Sequence, residues 1–177
     1  MRSIAFFPAL AAVALMGCAS MSESECRVAD WGRVGLADGS RGESESRLAA
    51  YNDDCGKIGI TPDATAYRKG WDVGIVRFCT PANGWNEGRQ GHTSKVAACQ
   101  GQTGFETFSR YFDAGMQVYR TNEEMERNAQ ESNRLQKRLD TATSDDDKRR
   151  ARQELRDLDR QQLYLRSRLG QQQMLAP

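Results

Sequence analysis

Apolar residues follow three different patterns along the chain. At the start, Ile4 to Met16 form a nearly continuous apolar run behind Arg2. From residue 26 to about 104, aromatic residues precede glycines spaced three or four apart, a spacing that places them on one helix face. From about residue 105 to 170, glycine is rare and single apolar positions recur among charged residues and glutamine. No stretch shows the sustained alternation of a β-sheet domain, so the chain is predicted to be mainly α-helical.

The aromatic-glycine pattern occurs three times, in residues 31–39, 67–74 and 85–91. Each glycine inside a helix costs about 1 kcal/mol of helix propensity. We expect this cost to be offset by close approach of a neighbouring helix backbone. A helix is also predicted over residues 44–54, with Ser44 as its cap. Thr61 and Pro62 predict the start of a helix that runs to Cys79.

Residues 105–170 predict a coiled-coil-like helical hairpin. Its first helix carries Val118, Met125, Leu135 and Leu139 at heptad-related spacings. The turn falls near Thr143, and Ser144 caps a second helix that begins with three aspartates. The apolar seam of this second helix consists of Ala151, Leu155, Leu158, Gln162, Leu165 and Leu169. Gly170 is expected to end it and residues 171–177 to form a flexible tail. A longer intermolecular coiled coil is the alternative.

The N-terminal run ends in Leu15-Met16-Gly17-Cys18, which resembles the lipobox of bacterial lipoproteins. The resemblance implies a signal peptide over residues 1–17, cleavage after Gly17, and attachment of diacylglyceryl and a further acyl chain such as palmitate at Cys18. The alternatives are an ordinary signal peptide and a membrane-spanning anchor, but the run is shorter than the roughly 20 residues that a span needs. Residues 18–25 would form a lipidated tether.

Residue Ala19 follows the lipidated cysteine where an aspartate would stand in inner-membrane lipoproteins. It resembles the outer-membrane-directed class, so we expect the protein on the periplasmic face of that membrane. Loss of Arg2 with the signal lowers Lys+Arg from 25 to 24, equal to the 24 Asp+Glu. The mature chain is therefore neutral and has no global electrostatic reason to bind nucleic acid.

Four cysteines remain after Cys18, which predicts two disulfides in an oxidising compartment. Four cysteines allow three connectivities. We expect Cys26–Cys55, because an antiparallel pair of helices near 27–39 and 44–55 would join their outer ends. Cys79–Cys99 then follows by elimination. The predicted fold class is a small disulfide-stapled helical domain over residues 26–104, followed by an antiparallel helical hairpin over residues 105–170.

A family resemblance is carried by the cysteines and the aromatic-glycine blocks together. The residues concerned are Cys26, Asp30, Trp31, Gly35, Asp38, Gly39, Cys55, Tyr67, Gly70, Gly74, Cys79, Pro81, Gly88, Gly91 and Cys99. Over residues 26–100 they resemble the Gram-negative lipoprotein family known as domain of unknown function 2799. The resemblance implies the lipid anchor and the four-cysteine framework. It implies no activity, catalytic residue or cofactor.

Candidate chemistry in the sequence is sparse. His92 is the single histidine, so neither a hydrolase triad nor a histidine-rich metal site can be assembled easily. We expect no catalytic residue, no metal, no cofactor and no enzymatic activity. Trp31, Trp71 and Trp85 form either the core or, if exposed, a platform for stacking sugars beside Asp38.

Three functions remain open at this stage. The leading hypothesis is a non-enzymatic envelope interaction or assembly protein, anchored by lipid, that binds an envelope protein or a second copy of itself through the hairpin. The alternative is a cell-wall glycan-binding module that uses exposed tryptophans. An enzyme is the third and would require a cleft with convergent polar groups.

Overall fold

The computed structural model describes residues 20–177. Helices account for the secondary structure of this part of the chain, which contains no strand. In chain order they are α1 (Glu23–Val28), α2 (Trp31–Ser40), α3 (Arg47–Gly56), α4 (Ala64–Phe78), α5 (Pro81–Arg89), α6 (Ser94–Cys99), α7 (Phe105–Thr141) and α8 (Asp145–Gln173). The mainly α-helical fold class is therefore confirmed, with a small domain at the N-terminal side and a long helical pair at the C-terminal side.

Helices α2 and α4 cross at glycines. A Cβ atom at Gly35 would lie 2.0 Å from the carbonyl oxygen of Tyr67, and one at Gly39 would lie 2.4 Å from that of Trp71. Because these contacts advance in the same direction along both helices, α2 and α4 run parallel. The glycines lack a side chain where the partner backbone passes, as the aromatic-glycine pattern predicts.

A second parallel pair, α5 with the start of α7, uses the same device. Cβ atoms at Gly84 and Gly88 would lie 2.3 and 2.2 Å from the carbonyl oxygens of Phe108 and Phe112. A Cβ atom at Gly115 would lie 2.5 Å from the carbonyl oxygen of Trp85. The predicted small domain ends at residue 104, just before α7 begins, but the first turns of α7 still pack against α5 of that domain.

Two disulfides hold the shorter helices in place: one joins α1 to α3, and the other joins the end of α4 to α6. Cys26 of α1 is bonded to Cys55 in the last turn of α3, and Cys79 after α4 is bonded to Cys99 of α6. This is the connectivity expected from the sequence, but its expected basis differs. Cys26 lies on the separate short helix α1, because the chain breaks at Ala29 and Asp30, and α2 packs mainly against α4 and not against α3. All four cysteines belong to the buried core, together with aromatic side chains such as Phe108. The disulfides therefore close loops around one shared core.

The C-terminal part of the chain forms an antiparallel hairpin. Arg138 near the end of α7 pairs with Glu154 near the start of α8, at 3.0 Å. At the other end, Thr121 Oγ1 donates to Gln172 Oε1 at 2.8 Å in a buried contact. Every residue of the predicted seam of α8 is buried or half-buried, and so are Lys148, Arg168 and Gln172. The seam residues are Ala151, Leu155, Leu158, Gln162, Leu165 and Leu169.

Besides the break between α1 and α2, three helix boundaries differ from those expected. Helix α3 begins at Arg47, without a side-chain cap from Ser44. Helix α4 begins after Asp63, whose carboxylate accepts from the backbone N–H of Ala66, so Asp63 rather than Thr61 is the N-cap. Helix α8 continues through Gly170 to Gln173, because the buried Gln172 packs against α7.

Candidate functional site

The most polar part of the core is organised around Asp38, whose side chain is fully buried. Its Oδ2 atom accepts hydrogen bonds from the hydroxyls of Tyr51, at 2.9 Å, and Tyr67, at 3.0 Å. Its Oδ1 atom accepts from Arg41 Nη2 at 2.8 Å. Since Tyr51 lies on α3 and Tyr67 on α4, one carboxylate connects three helices. We call these four residues the Asp38 cluster.

The protonation of the Asp38 cluster follows from its burial. Burial raises the pKa of Tyr67, and the charge of Asp38 raises it further. Burial also raises the pKa of Tyr51, against the effect of a hydrogen bond from Arg47 Nε at 2.8 Å. Both phenols therefore keep their protons and act as donors. With both carboxylate oxygens occupied by side-chain donors, the arrangement fits a structural tie between helices.

A cleft of about 550 Å³ lies beside the Asp38 cluster. Ser20 and Met21 line it at the N-terminal side, and Val28 of α1 stands at its edge with 83% of its surface exposed. Arg33 and Arg41 also line it. The cleft thus joins the buried cluster to the beginning of the described chain.

The sequence proposed Trp31, Asp38, Trp71 and Trp85 as ligand-binding residues if they were exposed. The structure buries all four, and the tryptophans expose between 5 and 9% of their surface. The glycine crossings hold α2 against α4 and α5 against α7, and the tryptophans lie on these closely packed helices. Trp71 Nε1 also donates to the carbonyl of Glu43 at 2.9 Å. Of the two alternatives for the tryptophans, the structure therefore bears out the core, and an exposed platform for stacking sugars is not formed by these residues.

The first described residues are fixed to the end of α3. The backbone N–H and the hydroxyl of Ser20 both donate to Asp54 Oδ2, at 2.6 and 2.7 Å. Lys57 Nζ donates to the other oxygen at 2.7 Å. The hydrogen bond from Lys57, followed by those from Ser20, lowers the pKa of Asp54 well below its usual range. The expected lipidation site, Cys18, lies just outside the described residues.

The hairpin exposes apolar side chains on α8 and at its C-cap, Met174. Leu163, Tyr164 and Met174 have 64, 65 and 85% of their surface exposed. Leu163 and Met174 lie on the same side of the helix, because they are separated by about three turns. We call these three residues the hairpin outer face. Leu163 and Tyr164 are neighbours, whereas Met174 lies roughly 16 Å further along the helix axis. Large apolar residues that are exposed next to one another are a feature of surfaces that contact other molecules.

Within residues 20–177, no group of three or more His, Cys, Asp or Glu side chains is arranged to hold a metal ion. None of the helices in that range is long and apolar enough to cross a membrane. His92, the single histidine, is half exposed and pairs with Glu87 through Nδ1 at 2.8 Å. It lies on a turn after α5, remote in sequence from the Asp38 cluster.

Most partners of Asp38 in the Asp38 cluster are not predictable from the sequence. Neither Tyr51 nor Tyr67 has a sequence pattern that links it to Asp38. The hydrogen bonds span 13 and 29 residues, and no local spacing rule connects positions so far apart. The contact between Ser20 and Asp54 spans 34 residues and had no signal either. A buried acid flanked by tyrosines on other helices becomes apparent only in the packed structure.

These features define a small disulfide-stapled helical domain whose last helix extends into a hairpin. Residues 30–117 match the family described as Protein of unknown function (DUF2799), and over these residues the chain belongs to that family. The match extends beyond the resemblance over residues 26–100, into the part of α7 that packs against α5. A search of curated proteins and a search of solved structures found no match to the chain.

Proposed function

We propose that this protein is an outer-membrane lipoprotein, anchored at Cys18 and facing the periplasm, that binds another envelope protein through its hairpin. In this protein the small domain would lie next to the membrane, and the hairpin would bind the partner. Its role would be that of a non-enzymatic interaction or assembly protein. The observation that carries it is the hairpin outer face on α8.

The hairpin outer face supports docking because its residues are not needed for the hairpin itself. The seam residues Ala151 and Leu165 already pack between α7 and α8 and are buried. Leu163 and Tyr164 lie outside that seam and expose about two thirds of their surface. A partner helix could bury these side chains in the helix-in-groove manner. Each fully buried leucine side chain contributes on the order of 2 kcal/mol.

The Asp38 cluster gives separate support for a non-enzymatic role. Its carboxylate is engaged by Tyr51, Tyr67 and Arg41, and the two phenols are held in their protonated form. Such a cluster stabilises the small domain and offers no free acid or base to a substrate. The family match adds the domain but no activity.

The test is chemical crosslinking in intact cell envelopes, followed by mass spectrometry of the purified protein. The full chain is compared with one truncated after Arg120, which retains residues 30–117. A matched pair of variants sharpens the test: Leu163→Glu places a charge on the hairpin outer face, and Gln161→Glu places one on an exposed polar position of the same helix.

We expect a specific partner that is lost on truncation and in Leu163→Glu but retained in Gln161→Glu. Crosslinks between two copies of this chain with the same dependence would make the partner a second copy. A partner set that is unchanged by truncation would contradict the proposal and transfer the function to the small domain.

A further inference from the structure

The first described residues, from Ser20 onward, are held against the folded domain by specific contacts. Ser20 donates two hydrogen bonds to Asp54, and the sulfur of Met21 lies 3.9 Å from Cys55 Sγ. Ser22 then forms a capping box with Glu25, which starts α1. The chain is thus held from Ser20 onward, although the sequence predicted a tether over residues 18–25.

Because Cys18 is close to Ser20 in sequence, the contacts of Ser20 limit the distance between a lipid on Cys18 and the folded domain. Only Ala19 separates Cys18 from Ser20. Two residues span at most about 7 Å even when fully extended. A lipid attached to Cys18 would therefore hold the Ser20 end of the domain within about that distance of the lipid headgroups, which excludes a freely suspended domain.

The surface next to Ser20 suits a lipid interface. Val28 lies at the edge of the cleft that Ser20 and Met21 line, and it is one of the most exposed large apolar residues of the described chain. Lys57, which is mostly exposed, pairs with Asp54 on the same side as Ser20. An apolar side chain beside long basic side chains matches the boundary between headgroups and acyl chains.

The charges around the cleft nearly cancel. Arg33 and Arg41 line it, but so do Glu25 and Asp30. The contact with lipid therefore follows from the short connection and from Val28, and it requires no anionic lipid. Vesicles of zwitterionic phosphatidylcholine are a sufficient partner surface.

We infer that the small domain rests directly on the lipid surface, with Ser20, Val28 and the adjoining cleft edge facing the headgroups. The inference rests on the proposed lipidation of Cys18 and adds a fixed orientation to it. The bond between Ser20 and Asp54 transmits the position of the anchor to the folded domain. The hairpin is then attached to a domain of defined orientation.

The experiment uses the mature lipidated full chain, reconstituted in phosphatidylcholine vesicles that contain a nitroxide-labelled lipid with its label close to the headgroup. A Val28→Trp variant reports proximity by fluorescence quenching. The three native tryptophans are buried, so the difference from the parent protein isolates the new side chain. The control keeps Val28→Trp and inserts ten Gly/Ser residues between Ala19 and Ser20, which preserves the anchor and the fold.

We expect at least twofold stronger quenching of Trp at position 28 without the insertion than with it. In the same background, Asp54→Ala should weaken the quenching, and Asp53→Ala, which removes the neighbouring exposed carboxylate, should leave it unchanged. Equal quenching with and without the insertion would overturn the orientation. A protein that does not sediment with the vesicles at all would overturn the lipid anchor and the inference together.

Discussion

Replacing Gly70 by alanine tests the glycine crossing between α2 and α4. A Cβ atom at Gly70 would lie 1.9 Å from the carbonyl oxygen of Gly32. A carbon atom approaches a carbonyl oxygen to about 3.3 Å, so the two helices would have to separate by about 1.4 Å. Because both atoms belong to rigid helix backbones, no side-chain rotation can relieve the contact.

The magnitude follows from two opposing effects. Overpacking of this kind costs about 3 kcal/mol or more. The helices would separate to relieve the clash, and a gap of 0.5–1 Å between packed atoms already removes about a quarter to a half of their dispersion energy. Alanine recovers about 1 kcal/mol of helix propensity. The free energy of unfolding of Gly70→Ala should therefore fall by about 2 kcal/mol or more.

Gly170→Ala provides the matched control, since Gly170 also lies within a helix but has open space where a Cβ would be. This variant should be more stable than the parent by about 0.5–1 kcal/mol. The assay is urea denaturation of the oxidised protein, followed by tryptophan fluorescence and by circular dichroism. A Gly70→Ala protein within about 0.5 kcal/mol of the parent would refute the close crossing of α2 and α4.

Three further predictions address the disulfides and the charged groups. Replacing Cys79 and Cys99 by serine removes a loop closure over a separation of 20 residues and should lower the free energy of unfolding by about 3 kcal/mol, measured by urea denaturation; an unchanged midpoint would contradict the connectivity. Burial raises the pKa of Tyr67, so Tyr67→Phe should leave the rise of the native protein's absorbance at 295 nm near pH 10 unchanged, and a smaller rise would show that the phenol ionises there. A hydrogen bond from Lys95 lowers the pKa of Glu43, so this contact stabilises the fold above pH about 4.5 and is lost as the pH falls. Glu43→Gln should accordingly cost about 0.5–1 kcal/mol at pH 7 and almost nothing near pH 3 in thermal denaturation, whereas a cost independent of pH would exclude the charge as its cause.

Local rules were sufficient for much of the fold. Ser144 caps α8 as predicted, since its side chain accepts from the backbone N–H groups of Asp146 and Asp147. Glycines of the aromatic blocks such as Gly35, Gly39 and Gly88 lie at helix crossings, because a costly residue that recurs on one helix face indicates close packing. Gly91 of the third block is different, since it lies in the turn after α5 with a φ of 73°. Both features depend on residues within a few positions of one another.

Other features depended on long-range packing and were not predictable from local patterns. Gly170 was expected to end α8, but its propensity cost of about 1 kcal/mol is outweighed by the contact of Gln172 with Thr121. Asp38 was expected beside a sugar-stacking platform, although two of its partners, Tyr51 and Tyr67, lie on two other helices. The double role of α7, in the small domain and in the hairpin, also depends on packing against α5.

The mass of the mature N-terminal peptide, released from protein extracted from its native membrane, is the most direct test of the proposed lipid anchor. We expect this peptide to begin at Cys18 and to carry the mass of a diacylglyceryl group and a further acyl chain. A Cys18→Ala variant should lose that mass and its membrane association. An unmodified Cys18, or a peptide that begins at another residue, would contradict the lipid anchor and with it the proposed position of the small domain on the membrane.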